Sequence, residues 1–328
     1  MLLFSNRQLF TLAYVINSCI EAGVFPSVLK HVKVIPVYKK KGSKHSYEHY
    51  RPISIISIFY KVFEIVLNRQ LVLYFEKNNL FSTCQFGYRA GHGTIDAVLS
   101  FIQRCSDGLE KGLSIAGRLY DLTKAFNTVS HSILLNKLSF YGILDLSANL
   151  LASYLRERYQ SVQLDGIMSS FKLVEHGVPQ GSVLGPIFFI IYINDLPSVV
   201  KDGPSHPYLF ADDLALSVTG SSDQSLKIKL DHCSNAIQDW CNANSLSLND
   251  DKTIEIMFTS NCRKSEHAVA VKFLGIMLEP TLGWESHIDS DVKSMSKGIF
   301  MLRVLNMCVS QYVLSTVYYG HIRGLSRK

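Results

Sequence analysis

Tyr208-Leu209-Phe210-Ala211-Asp212-Asp213-Leu214-Ala215-Leu216-Ser217-Val218 places two adjacent carboxylates between two short, largely apolar segments. The flanks, Tyr208 to Ala211 and Leu214 to Val218, read as strands, and the two acids as their tight connection. Upstream, Ser114 to Asp121 reads as another strand that ends on an acid, with few charges before it. Carboxylates at strand ends with apolar neighbours are costly to bury unpaired, and a divalent cation neutralises several at once. Oxygen ligands point to Mg²⁺, which prefers substrate phosphates to a complete protein cage. Two such ions about 3.5–4 Å apart can activate an attacking hydroxyl and stabilise the leaving oxygen of a phosphoryl displacement. An isolated Asp-Asp turn carries no chemistry, so the rest of the chain must supply the context.

Working outward, Gly177-Val178-Pro179-Gln180-Gly181-Ser182 opens an apolar helix that ends near Asp195-Leu196-Pro197. Gln160 to Leu164 and Phe171 to Val174 form a candidate hairpin around Asp165-Gly166. After the acids, Ser221 with Gln224 fits a capping box, and Leu226, Leu230, Cys233, Ile237 and Trp240 mark a buried helix face. Strands from Ile254 to Thr259 and from Val269 to Leu278 follow. Ile288, Val292, Met295, Ile299 and Leu302 then repeat the helical rhythm and read as a core face. Toward the N-terminus, Ser130 is the expected N-cap of a helix running to Gly142, and a further helix starts near Ser147. Gly87, Gly91 and Gly93 mark an irregular segment, and Asn78-Asn79 stops a helix that starts at Ile58. Val32 to Tyr38 and the return at Arg51-Pro52-Ile53-Ser54 flank a basic turn, Lys39-Lys40-Lys41-Gly42-Ser43-Lys44. A first helix with Leu9, Leu12, Ala13 and Ile16 on one face ends at Gly23.

The chain has 328 residues and a net charge of +6, with only 18% charged residues and a mean hydropathy of +0.14, values that exclude disorder as its main character. Residues 1–51 hold eight basic and two acidic side chains, so the whole excess sits at one end and suggests a polyanionic partner. Seven cysteines without a CxxC pair indicate neither a disulfide framework nor a zinc cluster. Leu9 to Ile20 lacks a clean cleavage site and reads as a helix rather than a secretion signal, and the run Ile187 to Ile193 is too short to cross a bilayer. A soluble intracellular protein, nuclear or cytoplasmic, is expected.

Three segments together resemble motifs A, B and C of reverse transcriptases, in the form found in non-LTR, LINE-like retrotransposons of the jockey type. They are Tyr120-Asp121-Leu122-Thr123-Lys124-Ala125-Phe126-Asn127-Thr128-Val129-Ser130-His131, then Gly177-Val178-Pro179-Gln180-Gly181-Ser182-Val183-Leu184-Gly185-Pro186, then Phe210-Ala211-Asp212-Asp213. Tyr50-Arg51-Pro52-Ile53-Ser54 and Gln85-Phe86-Gly87-Tyr88-Arg89 are similar to the finger motifs of that family. Asn244-Ser245-Leu246-Ser247-Leu248-Asn249 with Lys252-Thr253 looks like motif D, and Phe273-Leu274-Gly275-Ile276 like motif E. The likeness covers about residues 20 to 320, in order.

The resemblance implies an α+β, right-hand polymerase: fingers at 1–110, a palm at 111–268 with an antiparallel ferredoxin-like sheet, a primer-grip hairpin at 269–280 and a partial helical thumb at 281–328. It implies transfer of a deoxynucleotide to a primer 3′-hydroxyl with two Mg²⁺ ions, Mn²⁺ being a substitute, and RNA template, DNA primer and dNTPs as partners. Asp121 and Asp212 would be the principal metal ligands with Asp213 in support; Asp212 and Asp213, if strand neighbours, would point to opposite faces. Lys252 would be the general acid for pyrophosphate. Phe126 would exclude a ribose 2′-hydroxyl, Gln180 and Gly181 would hold the incoming nucleotide, and Arg51 and Lys41 would reach its triphosphate. Arg89 would contact template. Lys293, Lys297 and Arg303 would lie along the primer–template backbone, and Phe273, Leu274 and Gly275 would grip the primer end.

Departures from the family pattern are Asn127 for a second Asp, Gly93 before Thr94, and Arg118 in a strand that is usually apolar, where it either strains the sheet or pairs with a carboxylate. The stretch Ser260 to Ala270 reads as short, which would compromise the primer-grip hairpin. An endonuclease domain is expected to be absent and the thumb truncated. The alternative function is a catalytically inactive nucleic-acid-binding remnant of such an element. A metal-dependent phosphohydrolase is disfavoured, because no His or Glu stands at an obvious water-activating position.

Overall fold

Period-two and period-3.6 apolar patterns alternate along the sequence, and the computed structural model turns them into a mixed α/β architecture. It describes residues 6–259 and 269–322. The elements are α1 (Asn6–Ala22), β1 (His31–Tyr38), β2 (Tyr50–Ile55), α2 (Ile58–Lys77), α3 (Thr94–Glu110), β3 (Ser114–Asp121), α4 (Ala125–Thr128), α5 (His131–Phe140), α6 (Asp145–Leu155), β4 (Arg158–Leu164), β5 (Ile167–Met168) and β6 (Lys172–Val174). They continue with α7 (Leu184–Tyr192), β7 (Ser205–Phe210), β8 (Asp213–Gly220), α8 (Asp223–Ala243), β9 (Ile254–Phe258), β10 (Val271–Phe273), β11 (Ile276–Leu278), α9 (Glu285–Leu305) and α10 (Gln311–Val317). Two compact units result. One takes Met1–Tyr88, Leu122–Ser198 and Gln238–Leu248; the other takes Arg89–Asp121, Val199–Ile237 and Asn249–Lys328.

The second unit is built on a four-stranded sheet in the order β7-β8-β3-β9, with every pairing antiparallel. Numbered by chain order from β3, the strands lie 4-1-3-2 when read from β9, which is the ferredoxin-like arrangement of a βαββαβ chain. Ile115, Ala116, Leu214, Ala215, Leu216 and Val218 are buried in it. Helix α3 covers the sheet through Phe101, whose ring lies 5.3 Å from Tyr208, 5.9 Å from Phe258 and 5.4 Å from Phe273. That ring comes so close to β3 that a Cβ at Gly117 would stand 2.7 Å from it. Glycine is what lets the aromatic lie against the strand.

In the other unit, β1 pairs antiparallel with β2 and parallel with β4, and β4 pairs with β5 and β6. Its core is aromatic: Phe25 lies edge-on to Tyr60, Phe63 and Tyr154 at 5.1–5.3 Å, and Tyr154 meets Phe188 of α7 at 5.7 Å. Helix α7 is buried on all sides, so the apolar run near Ile187 is core. Among the described residues no helix is long and apolar enough to cross a membrane.

Several sequence expectations need correction. The α9 stripe does not form a core face: Ile288, Val292 and Ile299 are exposed and only Gly298 is buried, because periodicity marks an apolar face without supplying anything to cover it. On α1, Ile16 is buried but Leu9 and Ala13 are exposed. Ser222, not Ser221, accepts the Ser225 N–H at the start of α8, so the capping box does not form. Helix α6 begins at Asp145, ahead of Ser147. The 167–174 return is split, β5 closing the Asp165-Gly166 turn with both turn residues at positive φ. The expectations for α2, β3, the Ser130 cap and the α8 stripe hold. Residues 260–268 of the stretch read as short lie outside the described residues. The hairpin beyond them is formed, with Val271 opposite Leu278 and a two-residue turn at Leu274-Gly275.

Candidate active site

The register of the four-stranded sheet brings the three aspartates together. Asp121 ends β3 directly opposite Asp213, the first residue of β8, and Phe210 also faces Asp213 across β7. Ala211 and Asp212 therefore form a two-residue connection, with Ala211 in the left-handed region at φ +56°. Such a conformation is disfavoured for a residue bearing a Cβ, and strain of this kind concentrates at functional turns. Asp212 thus lies in the turn and Asp213 on the strand. They are not two successive residues of a regular strand, and Asp213 shares its face with Asp121.

Burial raises the Asp212 carboxyl above its usual range, and the Asp121 charge adds to this against a local backbone hydrogen bond. Burial likewise raises Asp213, reinforced by Asp212 and Asp121. Asp212 and Asp213, both held above their usual range beside Asp121, form an electrostatic sink for a cation. Among the described residues no group of three or more His, Cys, Asp or Glu side chains forms a ready metal cage. An all-oxygen, incomplete donor set suits Mg²⁺, which retains water and binds substrate phosphate. Lys252 Nζ donates to Asp121 Oδ2 at 2.9 Å, and the Asn249 N–H to the Asp121 carbonyl at 2.9 Å, so the residues after α8 are tied to the end of β3.

Arg118 causes no isolated charge in the sheet. Its register partner on β9 is Glu255, with which it forms an ion pair, while Asp231 lies 3.7 Å away and Ser234 accepts a further hydrogen bond. The carboxylate expected for it is Glu255.

The other unit assembles the residues around Gln180. The Ser54 N–H of β2 donates to the Gln180 carbonyl at 2.9 Å, and Gln180 Nε2 donates to Asn127 Oδ1 at 3.1 Å. Gly181 follows at φ +102°, with its Cα edge turned to the Ser54 carbonyl. The Val178 N–H donates to the Phe126 carbonyl and the Gly177 N–H to the Val129 carbonyl, each at 2.8 Å. Phe126 itself is half-buried, its ring 4.7 Å from Phe189 of α7. A cleft of about 230 Å³, edged by Val34, Ser54, Asn127, Gln160, His176 and Gln180, opens beside this loop. The role of Asn127 as the side-chain partner of Gln180 was not legible from the sequence, and neither was Glu64, which accepts hydrogen bonds from the start of α7. An acid within the apolar spacing Tyr60, Phe63, Leu67, Leu71 was the available signal for Glu64.

Of the basic residues, Arg51 is exposed on β2 opposite Val37. In the turn between β1 and β2, Lys39 Nζ donates to the Glu48 carbonyl at 2.7 Å and Lys44 lies 5.8 Å from the Tyr38 ring centre, while Lys40 and Lys41 are exposed. Arg89 is half-buried just before α3. Lys293, Lys297 and Arg303 are exposed along α9. Phe273 is buried against Phe101, whereas Leu274 and Gly275 form the tip of their hairpin.

The profile of the reverse transcriptase (RNA-dependent DNA polymerase) family matches residues 38–278. The chain is 29% identical over 301 residues to the RNA-directed DNA polymerase from mobile element jockey of Drosophila melanogaster, covering 87% of this chain and 33% of that protein. It is 28% identical to the jockey polymerase of Drosophila funebris, over 88% of this chain and 33% of the relative. It is 25% identical to the probable RNA-directed DNA polymerase from transposon X-element of Drosophila melanogaster, with the same two shares covered. The chain thus spans about a third of the length of these curated relatives. Among solved structures, apo telomerase from Candida tropicalis truncated from its C-terminal domain superposes with a TM-score of 0.59 at 14% identity, covering 84% of this chain and 60% of that one. The fold is that of a right-hand polymerase. Because the family match runs through both the acidic turn and the Gln180 loop, the chain belongs to the reverse transcriptase family of RNA-dependent DNA polymerases.

Proposed function

We propose that this chain is the polymerase core of a non-LTR retrotransposon, extending a DNA primer on an RNA template from deoxynucleoside triphosphates. The observation that carries this reading is the cluster of Asp121, Asp212 and Asp213 at the adjoining ends of β3, β7 and β8. Asp121 and Asp212 would be the principal ligands for two Mg²⁺ ions, with Asp213 in support; Mn²⁺ would serve as a substitute. When bound, the metal supplies activation of the primer 3′-hydroxyl and stabilisation of the departing pyrophosphate oxygen. Lys252, an ammonium at the edge of the cluster, is the proton donor to that leaving group.

The chain's remaining residues orient the nucleotide. Phe126, braced on Phe189, presents a ring that a 2′-hydroxyl would strike. Gln180 and Gly181 hold the base pair, glycine allowing close approach and the amide bonding without imposing charge. Arg51 and Lys41 take the triphosphate oxygens. Arg89 contacts template, while Lys293, Lys297 and Arg303 follow the duplex backbone in a salt-sensitive, sequence-blind manner. Phe273, Leu274 and Gly275 support the primer end. In this reading 1–110 are fingers, 111–268 palm, 269–280 primer grip and 281–328 thumb.

The test is primer extension by the purified chain on an RNA template with Mg²⁺ and deoxynucleotides, beside Asp121→Ala and Asp212→Ala. Extension by the unmodified chain and none by either variant is expected. Duplex binding without extension by the unmodified chain would replace the polymerase with a silent nucleic-acid-binding remnant.

A further inference from the structure

Glu64 lies in the middle of α2 and has no exposed surface. Its Oε2 accepts the Val183 N–H at 2.8 Å, and its Oε1 accepts the Leu184 N–H at 3.4 Å and the Tyr154 hydroxyl at 2.6 Å. These contacts complete the donors at the start of α7. The Gly185 N–H bonds to Ser182 Oγ at 2.8 Å and Pro186 has no N–H, leaving Val183 and Leu184 for Glu64. Most helices are capped by the residue that precedes them. Here that position holds Val183, whose side chain caps nothing; Ser182 takes the Gly185 N–H, and the remaining cap is delivered by Glu64 from a different helix.

The charge of Glu64 is matched through two phenols. Tyr60 donates to the Tyr154 hydroxyl at 2.9 Å and accepts from Arg158 Nη1 at 2.6 Å. The Arg158 guanidinium also lies over both rings, 5.4 Å and 4.9 Å from their centres, and Arg158 is itself buried. Burial raises the Glu64 carboxyl above its usual range, while the three hydrogen bonds and Arg158 oppose this. An ionised carboxylate accepts only, which is what three converging donors require. At a helix start its charge is also favoured by the macrodipole.

This arrangement bears on the loop just upstream. Gln180 and Gly181 stand between the Ser54 N–H, which holds the Gln180 carbonyl, and Val183 and Leu184, which Glu64 holds. We propose that Glu64 is a positioning residue for the incoming nucleotide: by clamping the start of α7 it sets the place of Gln180 and Gly181, and Tyr154, Tyr60 and Arg158 hold its carboxylate in the orientation that does so. The inference rests on the polymerase reading for its kinetic consequence and on hydrogen bonding alone for the clamp.

Three variants of the full chain test it: Glu64→Gln, Glu64→Ala and Tyr154→Phe. Each is followed by dNTP-dependent primer extension, by thermal melting and by amide hydrogen exchange of the peptide holding Val183 and Leu184. Glu64→Gln keeps the shape but turns an NH₂ toward an N–H donor. It should raise the dNTP KM about 10-fold with kcat within about 3-fold, and speed exchange at Val183 and Leu184 about 10-fold, with β3 and β8 peptides unchanged. Tyr154→Phe retains the ring and both backbone donors, and should shift both readouts in the same direction by less. If Glu64→Ala does not fold, these two variants still decide. A lowered melting temperature with an unchanged KM would reduce Glu64 to a structural residue and overturn the proposal, as would unchanged exchange at Val183 and Leu184. If the unmodified chain extends no primer, the polymerase reading fails by itself, and the exchange rates alone decide whether the clamp exists.

Discussion

Gly177→Ala is the perturbation that most sharply tests how the segments carrying Phe126 and Gln180 are joined. Gly177 has φ +80°, and a Cβ there would lie 2.7 Å from the carbonyl oxygen of Asn127 and 2.9 Å from its carbonyl and α carbons. All three are backbone atoms, so no side-chain rotation relieves the overlap, and residues 126–129 must move. That motion strains the Gly177-to-Val129 and Val178-to-Phe126 hydrogen bonds and the contact of His131 Nε2 with the Gly177 carbonyl, each 2.8 Å. Gly166 supplies the matched control: it has φ +82° and nothing within 4 Å of its would-be Cβ. Gly166→Ala therefore measures the left-handed penalty alone, about 1 kcal/mol after the stiffening of the unfolded chain is subtracted. Gly177→Ala adds two or three weakened hydrogen bonds at about 1 kcal/mol each, for a total of about 3–4 kcal/mol. Urea unfolding of the unmodified chain and both variants reads the difference, and dNTP titration of primer extension reads its effect on Phe126 and Gln180. Equal stability losses at the two glycines would refute the reasoning, because the overlap with Asn127 and the hydrogen bonds it disturbs have no counterpart at the exposed Gly166.

Phe126→Ala should admit ribonucleotides, lowering sugar discrimination at least about 10-fold in competing kcat/KM measurements; unchanged discrimination would sink the gate assignment. Burial, with Arg104 and Lys201 nearby, pushes the His206 imidazole down to about 4, whereas the unfolded chain takes up its proton near its ordinary value. Stability is therefore fully present at neutral pH and falls as pH drops toward 4, by about 1–2 kcal/mol once solvent screening is allowed for. In urea titrations at pH 7 and 4.5, His206→Gln should show a smaller loss than the unmodified chain, and an equal loss contradicts the assignment. Because Lys39 and Lys44 serve their own turn, Lys40→Ala with Lys41→Ala should remove most of the salt dependence that the basic turn contributes, a change of about 1.5–2 in the slope of log K against log salt. A slope matching that of the unmodified chain would mean the turn faces only solvent.

Much of this architecture was legible because local rules agree with the tertiary outcome. Asp165-Gly166 demanded a tight hairpin turn, Ser130 could cap a following helix, and the spacing of Leu226, Leu230, Cys233, Ile237 and Trp240 matched a face that is buried. The α9 stripe had the same spacing, yet Ile288, Val292 and Ile299 are exposed and Met295 and Leu302 only half-buried. The difference lies outside either helix, in whether another element is packed against it. Arg118 shows the same limit for charge: the sequence marked it as anomalous, but Asp231, Ser234 and Glu255 reach it only through α8 packing and β9 register. Glu64 could be flagged as an acid on an apolar face, yet its partners at 154 and 183 are about a hundred residues away in the chain.

The sequence by itself determined the ingredients: acids at strand ends, a glycine loop before an apolar helix, a basic turn near the N-terminus, and the order of most strands and helices, with α3 missed. Those are properties of side-chain type and short-range periodicity, which the backbone expresses wherever it folds. Tertiary structure alone decided that Asp213 faces Asp121, that Asn127 meets Gln180 and that Glu64 caps α7. Each depends on strand register or on the packing of segments distant in the chain, and a carboxylate or amide does not carry the address of its partner in its own neighbourhood.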